Sequence, residues 1–105
     1  MTRQDIINEL KEKTASFDGS YEGFLALQVT LSDLGEAFYI EIKDGVLSIE
    51  PYEYYDRQAN LIMSAGDFHK MINKHLDSTH AYLSGKLKIE GDMAKATELS
   101  GLFTK

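Results

Sequence analysis

The sequence predicts an α+β fold with a single curved five-stranded sheet, mostly antiparallel, and helices gathered on one face. Three observations indicate it. Amphipathic helical patterns occur at the start, in the third quarter and at the end of the chain, and five short segments among them have strand character. With 105 residues, 43% of them hydrophobic and 27% charged, the chain suits one domain over residues 1–105 and not two.

The first element is predicted to be an amphipathic helix that begins near Thr2. Thr2 is a suitable N-cap, and Asp5 three residues later completes a capping-box-like pair. The polar stretch 14–21 has low helix propensity and ends the element. The apolar face of this helix is formed by Ile6, Ile7 and Leu10.

Three strands in a meander are predicted next. Apolar and other residues alternate over 24–31 and again over 38–43, which is the period of a half-buried strand. Asp44-Gly45 follows at once, and these residue types tolerate the positive φ angles of a two-residue hairpin turn. Residues 46–50 are therefore predicted to form strand three, antiparallel to strand two.

The segment 51–58 is predicted to be an exposed loop. Pro51 cannot donate to a strand ladder, and the residues after it show no clean period. Tyr52, Tyr54 and Tyr55 lie among acidic residues, and tyrosine combines an apolar ring with a hydroxyl group. Two interpretations follow: a partly packed surface loop, or a surface that docks a partner or borders a pocket.

A strand and a helix are predicted after this loop. Residues 60–65 are short and apolar, as expected of strand four, and Gly66-Asp67 is predicted to cap the second helix. Residues 77–80 are interpreted as a connector, and 81–83 as a short helical turn. The apolar side of the second helix is formed by Phe68, Met71, Ile72 and Leu76.

The end of the chain is predicted to form a strand, a Gly-Asp turn and an amphipathic helix. Strand five begins at Lys86, and in it Leu87 and Ile89 alternate with charged residues. Asp92 is placed to accept the free amides at the start of the last helix. The apolar side of that helix is formed by Met93, Ala96, Leu99 and Phe103.

Charge and composition argue against several classes of partner and location. A formal net charge of −6 disfavours nucleic acid and strong docking on anionic membranes, which leaves at most transient membrane contact. No apolar run approaches the roughly 20 residues of a membrane span, and the N-terminus lacks the apolar core of a signal peptide. The absence of cysteine fits a reducing compartment. We therefore expect a cytoplasmic protein.

The sequence carries no clear catalytic or metal-binding motif. It contains no Gly-x-Ser-x-Gly nucleophile turn. His69, His75 and His80 are six and five residues apart, which does not give the i, i+4 pair that a helical metal site uses. We interpret them as surface histidines, and we expect no enzyme activity, no metal and no cofactor.

A family resemblance lies in the stretch Gly85-Lys-Leu-Lys-Ile-Glu-Gly-Asp-Met-Ala-Lys-Ala-Thr-Glu-Leu99. It is similar to the C-terminal signature of the sterol carrier, or non-specific lipid-transfer, domain family. Three further landmarks occur in the family's order. They are Lys43-Asp44-Gly45-Val46, Met63-Ser-Ala-Gly-Asp-Phe68 and Ala81-Tyr82-Leu83-Ser84-Gly85-Lys86. The resemblance extends from about Phe24 to Phe103 and is interrupted at 57–60 and 76–79, which bears on the shape of the tunnel mouth.

This resemblance implies a hydrophobic tunnel between sheet and helices, with the last helix as its cover. The implied partner is an apolar small molecule such as a sterol, a fatty acid or another lipid. Thioether side chains would suit a pocket that accepts varied chains. The residues that would line the tunnel are Phe38, Ile40, Ile42, Ile49, Leu61, Met63, Phe68, Met71, Ile72, Tyr82, Leu87, Ile89, Met93, Ala96, Leu99 and Phe103.

Alternatives remain for these residues and for the function. From the sequence alone, the same apolar positions favour a solid core with no tunnel. The fold could instead serve as a non-catalytic accessory protein of a lipid-related enzyme, through a homodimer or scaffold surface. A small enzyme using tyrosine or histidine side chains at the tunnel mouth is a third hypothesis.

Overall fold

The computed structural model describes residues 1–99. It confirms the α+β class: one five-stranded sheet combined with helices. The elements in chain order are α1 (Arg3–Lys13), β1 (Leu25–Leu31), β2 (Glu36–Lys43), β3 (Val46–Glu50), β4 (Ala59–Met63), α2 (Ala65–Ile72), α3 (Ser78–Leu83), β5 (Lys88–Gly91) and α4 (Met93–Thr97).

The sheet has the strand order β3-β2-β1-β4-β5. The β1–β4 pair is parallel and the other three pairs are antiparallel, as the mostly antiparallel prediction requires. Leu27 pairs with Ile40 on one side and with Ala59 on the other, and Ile40 in turn pairs with Ile49. Because paired residues point to the same face, this register gives the sheet one continuous apolar face.

The helices supply the other half of the core on this face. Ile6 and Leu10 of α1 and Phe68 of α2 are fully buried together with the apolar strand residues. The rings of Phe38 and Phe68 meet edge to face, with centroids 5.7 Å apart and planes at 78°. This arrangement joins sheet and helices through an aromatic contact that adds to simple area burial.

The opposite face of the sheet is polar and held by hydrogen bonds. Gln28 and Asn60 are buried there, and the Gln28 Oε1 atom accepts the Tyr54 N–H at 3.0 Å. The Thr30 hydroxyl donates to Asn60 Oδ1 at 2.9 Å, and Asn60 Nδ2 donates to Glu90 Oε1 at 3.2 Å. These bonds satisfy polar groups that would otherwise be costly to bury.

Two local predictions are confirmed in detail. In α1 the Thr2 Oγ1 atom accepts the Asp5 N–H at 3.1 Å, and Asp5 Oδ2 accepts the Thr2 N–H at 2.9 Å, which is a complete capping box. Between β2 and β3, Asp44 and Gly45 have φ angles of 52° and 77°. Both central residues of the turn are thus in the left-handed region that a tight hairpin needs.

The start of α2 differs from the prediction. Ser64, and not Gly66-Asp67, is the N-cap, because its Oγ atom accepts the Asp67 N–H at 3.1 Å. Gly66 therefore lies inside the first helical turn, and β4 ends at Met63 where residues up to 65 were predicted. A serine hydroxyl two residues before the glycine satisfies the free amide first.

The segment after α2 was also predicted wrongly. Residues 77–80 are not a connector, because Asp77 is the N-cap of α3 and its Oδ2 atom accepts the His80 N–H at 2.9 Å. The backbone N–H groups of Lys86 and Leu87 donate to the Ala81 carbonyl at 2.9 and 3.0 Å. Since those amides close the end of α3, β5 begins at Lys88 and not at Lys86.

The last described helix begins as predicted. Asp92 is its N-cap, with Oδ1 accepting the Lys95 N–H at 3.2 Å. The predicted helix continues to Phe103, which lies outside the described residues. Within residues 1–99, no helix has the length and apolar character needed to cross a membrane.

Candidate functional site

A cavity of about 450 Å³ lies at the β4–β5 side of the sheet and opens to solvent. It is bounded by β4, α2, α3, β5, α4 and the chain that connects α2 to α3. Its walls are mostly apolar. The lining residues are Leu61, Met71, Lys74, Leu76, Asp77, Ser78, Thr79, Tyr82, Leu87, Ile89, Met93, Ala96, Thr97 and Leu99.

The floor of the cavity is set by the pairing of the two outer strands. Leu61 of β4 lies opposite Ile89 of β5, so both side chains project from the apolar face of the sheet. Leu87, just before β5, is buried beside them. The period-2 pattern of strand five therefore places its apolar residues on the cavity floor.

Helix α4 forms the opposite wall. Ala96 of α4 is 4% exposed, Leu99 just after the helix is 2% exposed, and both line the cavity from this side. The Tyr21 hydroxyl donates to the Glu98 carboxylate, and Lys95 Nζ lies 3.3 Å from the Tyr21 oxygen. Burial, together with the hydrogen bond to Glu98, raises the pKa of Tyr21. These contacts tie α4 to the chain between α1 and β1.

The rim of the cavity is partly exposed. Tyr82 and Met93 are each 43% exposed, and both belong to the lining. Met71, on the α2 side, is half-buried. The unbranched thioethers of Met71 and Met93 adapt to irregular apolar shapes more easily than branched side chains do.

The structure divides the predicted tunnel residues into two groups. Those found on the cavity wall are Leu61, Met71, Tyr82, Leu87, Ile89, Met93, Ala96 and Leu99. Those found instead in the packed core, and not in the cavity lining, are Phe38, Ile40, Ile42, Ile49, Met63, Phe68 and Ile72. The second group lies mainly on β2, β3 and the inner side of α2, where α1 covers the sheet. Phe103 lies outside the described residues.

The sequence interpretation missed most of the polar part of the lining. Lys74, Asp77, Ser78 and Thr79 lie in or beside the segment that was interpreted as a connector. A signal was present, since Asp followed by Ser-Thr is a typical helix start. Placing α3 correctly would have brought Ser78 and Thr79, with their N-cap Asp77, to the same helix as Tyr82.

The tyrosine-rich loop is not part of the cavity. The Tyr54 ring packs edge to face on Tyr39 with centroids 5.1 Å apart, and its hydroxyl donates to Glu41 Oε2 at 2.7 Å. This bond raises the pKa of Tyr54 to about 12. Tyr55, by contrast, is 94% exposed. The loop is thus a partly packed surface loop that covers the polar face of the sheet.

The histidines do not line the cavity. His69 Nδ1 lies 2.7 Å from Glu9 Oε1, and Asn73 Nδ2 donates to Glu9 Oε2 at 3.3 Å, so this cluster joins α2 to α1. Across residues 1–99, no group of three or more histidine or acidic side chains is arranged to hold a metal ion.

Comparison with known proteins gives relatives that are longer than this chain. Hydroxysteroid dehydrogenase-like protein 2 of Xenopus tropicalis is 34% identical over 105 residues, which is 95% of this chain and 22% of that protein. The chain therefore spans about a fifth of the length of this relative.

Solved structures share the fold. The stereoselective inverting sec-alkylsulfatase Pisa1 from Pseudomonas sp. superposes with a TM-score of 0.84 at 19% identity, over 100% of this chain and 17% of that one. The solution structure of palmitated SCP2L2 from Aedes aegypti superposes with a TM-score of 0.73 at 19% identity, over 100% of this chain and 96% of that one. The fold thus occurs both as a separate small protein and as a part of a much larger one.

The family model described as the SCP-2 sterol transfer family matches residues 7–104, which includes all five described strands and all of the described cavity lining. This match agrees with the resemblance in the hairpin, the strand-to-helix junction and the last strand. The chain belongs to the SCP-2 sterol transfer family.

Proposed function

We propose that this domain binds the hydrocarbon part of one lipid molecule in the 450 Å³ cavity and carries it without chemical change. The observation that carries the proposal is the cavity itself. Its volume lies within the range of roughly 300–1,000 Å³ that is usual for small-molecule sites. It is about three times the 150 Å³ of an engineered apolar cavity that binds benzene.

Burial of apolar surface favours the binding of a lipid in this cavity. Because the cavity opens to solvent, its apolar walls are exposed to water when no ligand is bound. Removing this apolar surface from water is the favourable term in lipid binding. Burial of about ten methylene groups contributes roughly 8 kcal/mol toward binding. A single acyl chain or a sterol skeleton would therefore replace water against these walls with a net gain.

The chemistry of the lining supports carriage over catalysis. Among the described lining residues, the titratable side chains are Lys74, Asp77 and Tyr82. The Asp77 carboxylate already caps α3, and Tyr82 is half-exposed at the rim. The palmitate named for the Aedes aegypti neighbour supports a fatty acyl chain as one ligand class.

Measurement of bound lipid and of thermal stability tests this proposal. Native mass spectrometry of the purified protein should show an adduct of lipid mass that organic extraction removes. Palmitate at a hundredfold excess over its Kd should raise Tm by about 10–20 °C, because a ligand bound only to the folded state stabilises it. Butyrate, whose chain is too short to fill the cavity, is the matched control. An unchanged Tm with palmitate would contradict the proposal.

A second candidate function is an accessory role beside a catalytic domain. It is favoured by the lengths of the relatives, since this fold makes up 22% of a dehydrogenase-like protein and 17% of an alkylsulfatase. Transfer of labelled fatty acid between vesicles separates the two functions. A carrier accelerates transfer by itself, whereas an accessory module binds lipid without accelerating its transfer. A homodimer, transient membrane contact and a cytoplasmic location stay predictions.

A further inference from the structure

The polar residues of the cavity are concentrated at one place. Of the described polar lining residues, all but Thr97 and Tyr82 come from the six-residue segment 74–79. The Thr97 hydroxyl is already used, because it donates to the Ala94 carbonyl at 2.8 Å. The floor and the α4 wall are otherwise apolar. The cavity thus has a polar end and an apolar body, which is the pattern of an amphiphilic ligand and not of a pure hydrocarbon.

Lys74 is the positive charge at this polar end. It is the one basic side chain in the described part of the lining, and it is exposed. Within residues 1–99 its ammonium group makes no hydrogen bond or ion pair. Arg3 and Lys95, by comparison, lie 3.6 and 3.8 Å from carboxylate oxygens. A charge with no partner among residues 1–99 is available to pair with an anionic ligand.

The backbone at Lys74 is unfavourable for lysine. Its φ angle is 62°, in the left-handed region. The Lys74 N–H donates to the Met71 carbonyl at 3.1 Å and the His75 N–H to the Lys70 carbonyl at 2.8 Å, which closes α2 in a Schellman motif. Glycine or asparagine fits this C′ position better. The chain therefore holds a cation at the cavity where a neutral residue would relieve strain.

Two hydroxyl groups lie on the same segment. The Ser78 and Thr79 side chains line the cavity, and neither hydroxyl has a hydrogen-bond partner in the described part of the chain. Both can donate to an oxyanion. Asp77 is the one acidic residue in the described lining, and its charge opposes a doubly negative head group. The segment as a whole fits a head group with a single negative charge.

We propose that Lys74, with the hydroxyls of Ser78 and Thr79, binds the carboxylate of a free fatty acid while its chain lies in the apolar body of the cavity. This inference rests on the proposed lipid-binding function and narrows it. The domain then selects ionised fatty acids over neutral lipids of the same chain length. The selection comes from a charge-assisted contact at the cavity mouth.

Binding of dodecanoate and of dodecanol, measured by calorimetry, tests the inference. The two ligands share a twelve-carbon chain and differ in charge. Dodecanoate should bind roughly three- to tenfold more tightly, as expected for a partly exposed ion pair with hydrogen bonds. Lys74→Met should remove this difference by weakening dodecanoate alone. Lys70→Met, an exposed lysine of α2 outside the lining, is the matched control and should change neither affinity.

Lys74→Gly separates binding from folding. Glycine relieves the left-handed strain, so this variant should melt no lower than the wild type and yet lose the same preference for dodecanoate. Equal wild-type affinities for acid and alcohol would overturn the head-group inference and leave the lipid-binding function intact. An equal loss of affinity for both ligands in Lys74→Met would also overturn the head-group inference. So would a Lys70→Met variant that weakens dodecanoate binding as much as Lys74→Met does. Failure of the wild type to bind either ligand would overturn both proposals.

Discussion

A Cβ atom on Gly91 would lie 2.6 Å from the carbonyl oxygen of Gln58 and 3.1 Å from the Cα atom of Ala59. Gly91 has a φ angle of 93°, and the next residue, Asp92, donates its N–H to the same Gln58 carbonyl at 2.8 Å. The end of β5 is therefore pressed against the start of β4. This contact fixes both the cavity floor and the N-cap of α4.

Gly91→Ala should destabilise the domain by about 2–4 kcal/mol, because it combines left-handed strain with a backbone clash. The displaced strand carries Ile89, so fatty acid affinity should fall as well. Urea denaturation and calorimetry measure the two effects. Gly66→Ala is the matched control, since a Cβ there meets nothing within 4 Å, and it should stabilise the domain by about 0.5–1 kcal/mol because alanine is favoured over glycine in a helix. Equal stability of the two variants would contradict the close approach.

The Tyr54–Glu41 hydrogen bond should make the free energy of unfolding depend on pH in the alkaline range. The folded-state pKa of Tyr54 is about 12, above its ordinary value of 10.0, because its hydroxyl donates to Glu41. The protonated phenol is thus favoured in the folded state. Its contribution is fully present below pH 10 and is lost as pH rises from about 10 to about 12.

Tyr54→Phe should therefore reduce the free energy of unfolding by about 1–2 kcal/mol at pH 7. The difference from the wild type should narrow between about pH 10 and pH 12, as measured by urea denaturation. Tyr39 also has a raised pKa, but it is present in both proteins and cancels in the comparison. Tyr55→Phe, at a 94% exposed position, should match the wild type throughout. A difference that stays constant with pH would refute the assignment.

The fold was predictable where local chemistry decides it. The capping box of Thr2 and Asp5 and the Asp44-Gly45 turn are each specified by neighbouring residues, and both occur as predicted. The starts of α2 and α3 were predicted wrongly because Ser64 and Asp77 act through single hydrogen bonds to amides three residues on. Serine and aspartate are common in loops as well as at N-caps, so residue type alone leaves both readings open.

The cavity was less predictable than the fold. Ile40 and Ile89 show the same alternation in sequence, yet Ile40 lies in the packed core and Ile89 on the cavity wall. The difference arises from position across the sheet. Helix α1 covers the β2 side, while the β4–β5 side faces α4 and the α2–α3 connection. The period of the apolar residues indicates which face of the sheet a side chain lies on. It does not indicate how closely the helices pack against that face.

Leu99→Asp should weaken retention of palmitate at least about tenfold, because it places a carboxylate on an apolar wall that is 2% exposed. Lys88→Ala, on the opposite face of β5, should leave retention unchanged. Leu99→Ala keeps the wall apolar and should give an intermediate loss. Circular dichroism of each variant gives the folded fraction to which bound palmitate is normalised. Equal retention of palmitate by Leu99→Asp and Lys88→Ala would contradict the role of Leu99 in the cavity wall.

Ala96→Leu should stabilise the ligand-free domain and weaken binding of long chains at the same time. Ala96 is buried on α4 and points into the cavity, so the larger side chain fills space that a ligand would occupy. Cavity filling of this kind adds about 0.5–2 kcal/mol to stability. Loss of room for about three methylene groups should lower palmitate affinity tenfold or more and shift the preference toward shorter chains. Ala94→Leu, at an exposed position of the same helix, should do neither. Thermal melts without ligand measure the change in stability, and calorimetry with fatty acids of eight to sixteen carbons measures the change in binding. Undiminished palmitate binding by Ala96→Leu would place the lipid outside this cavity.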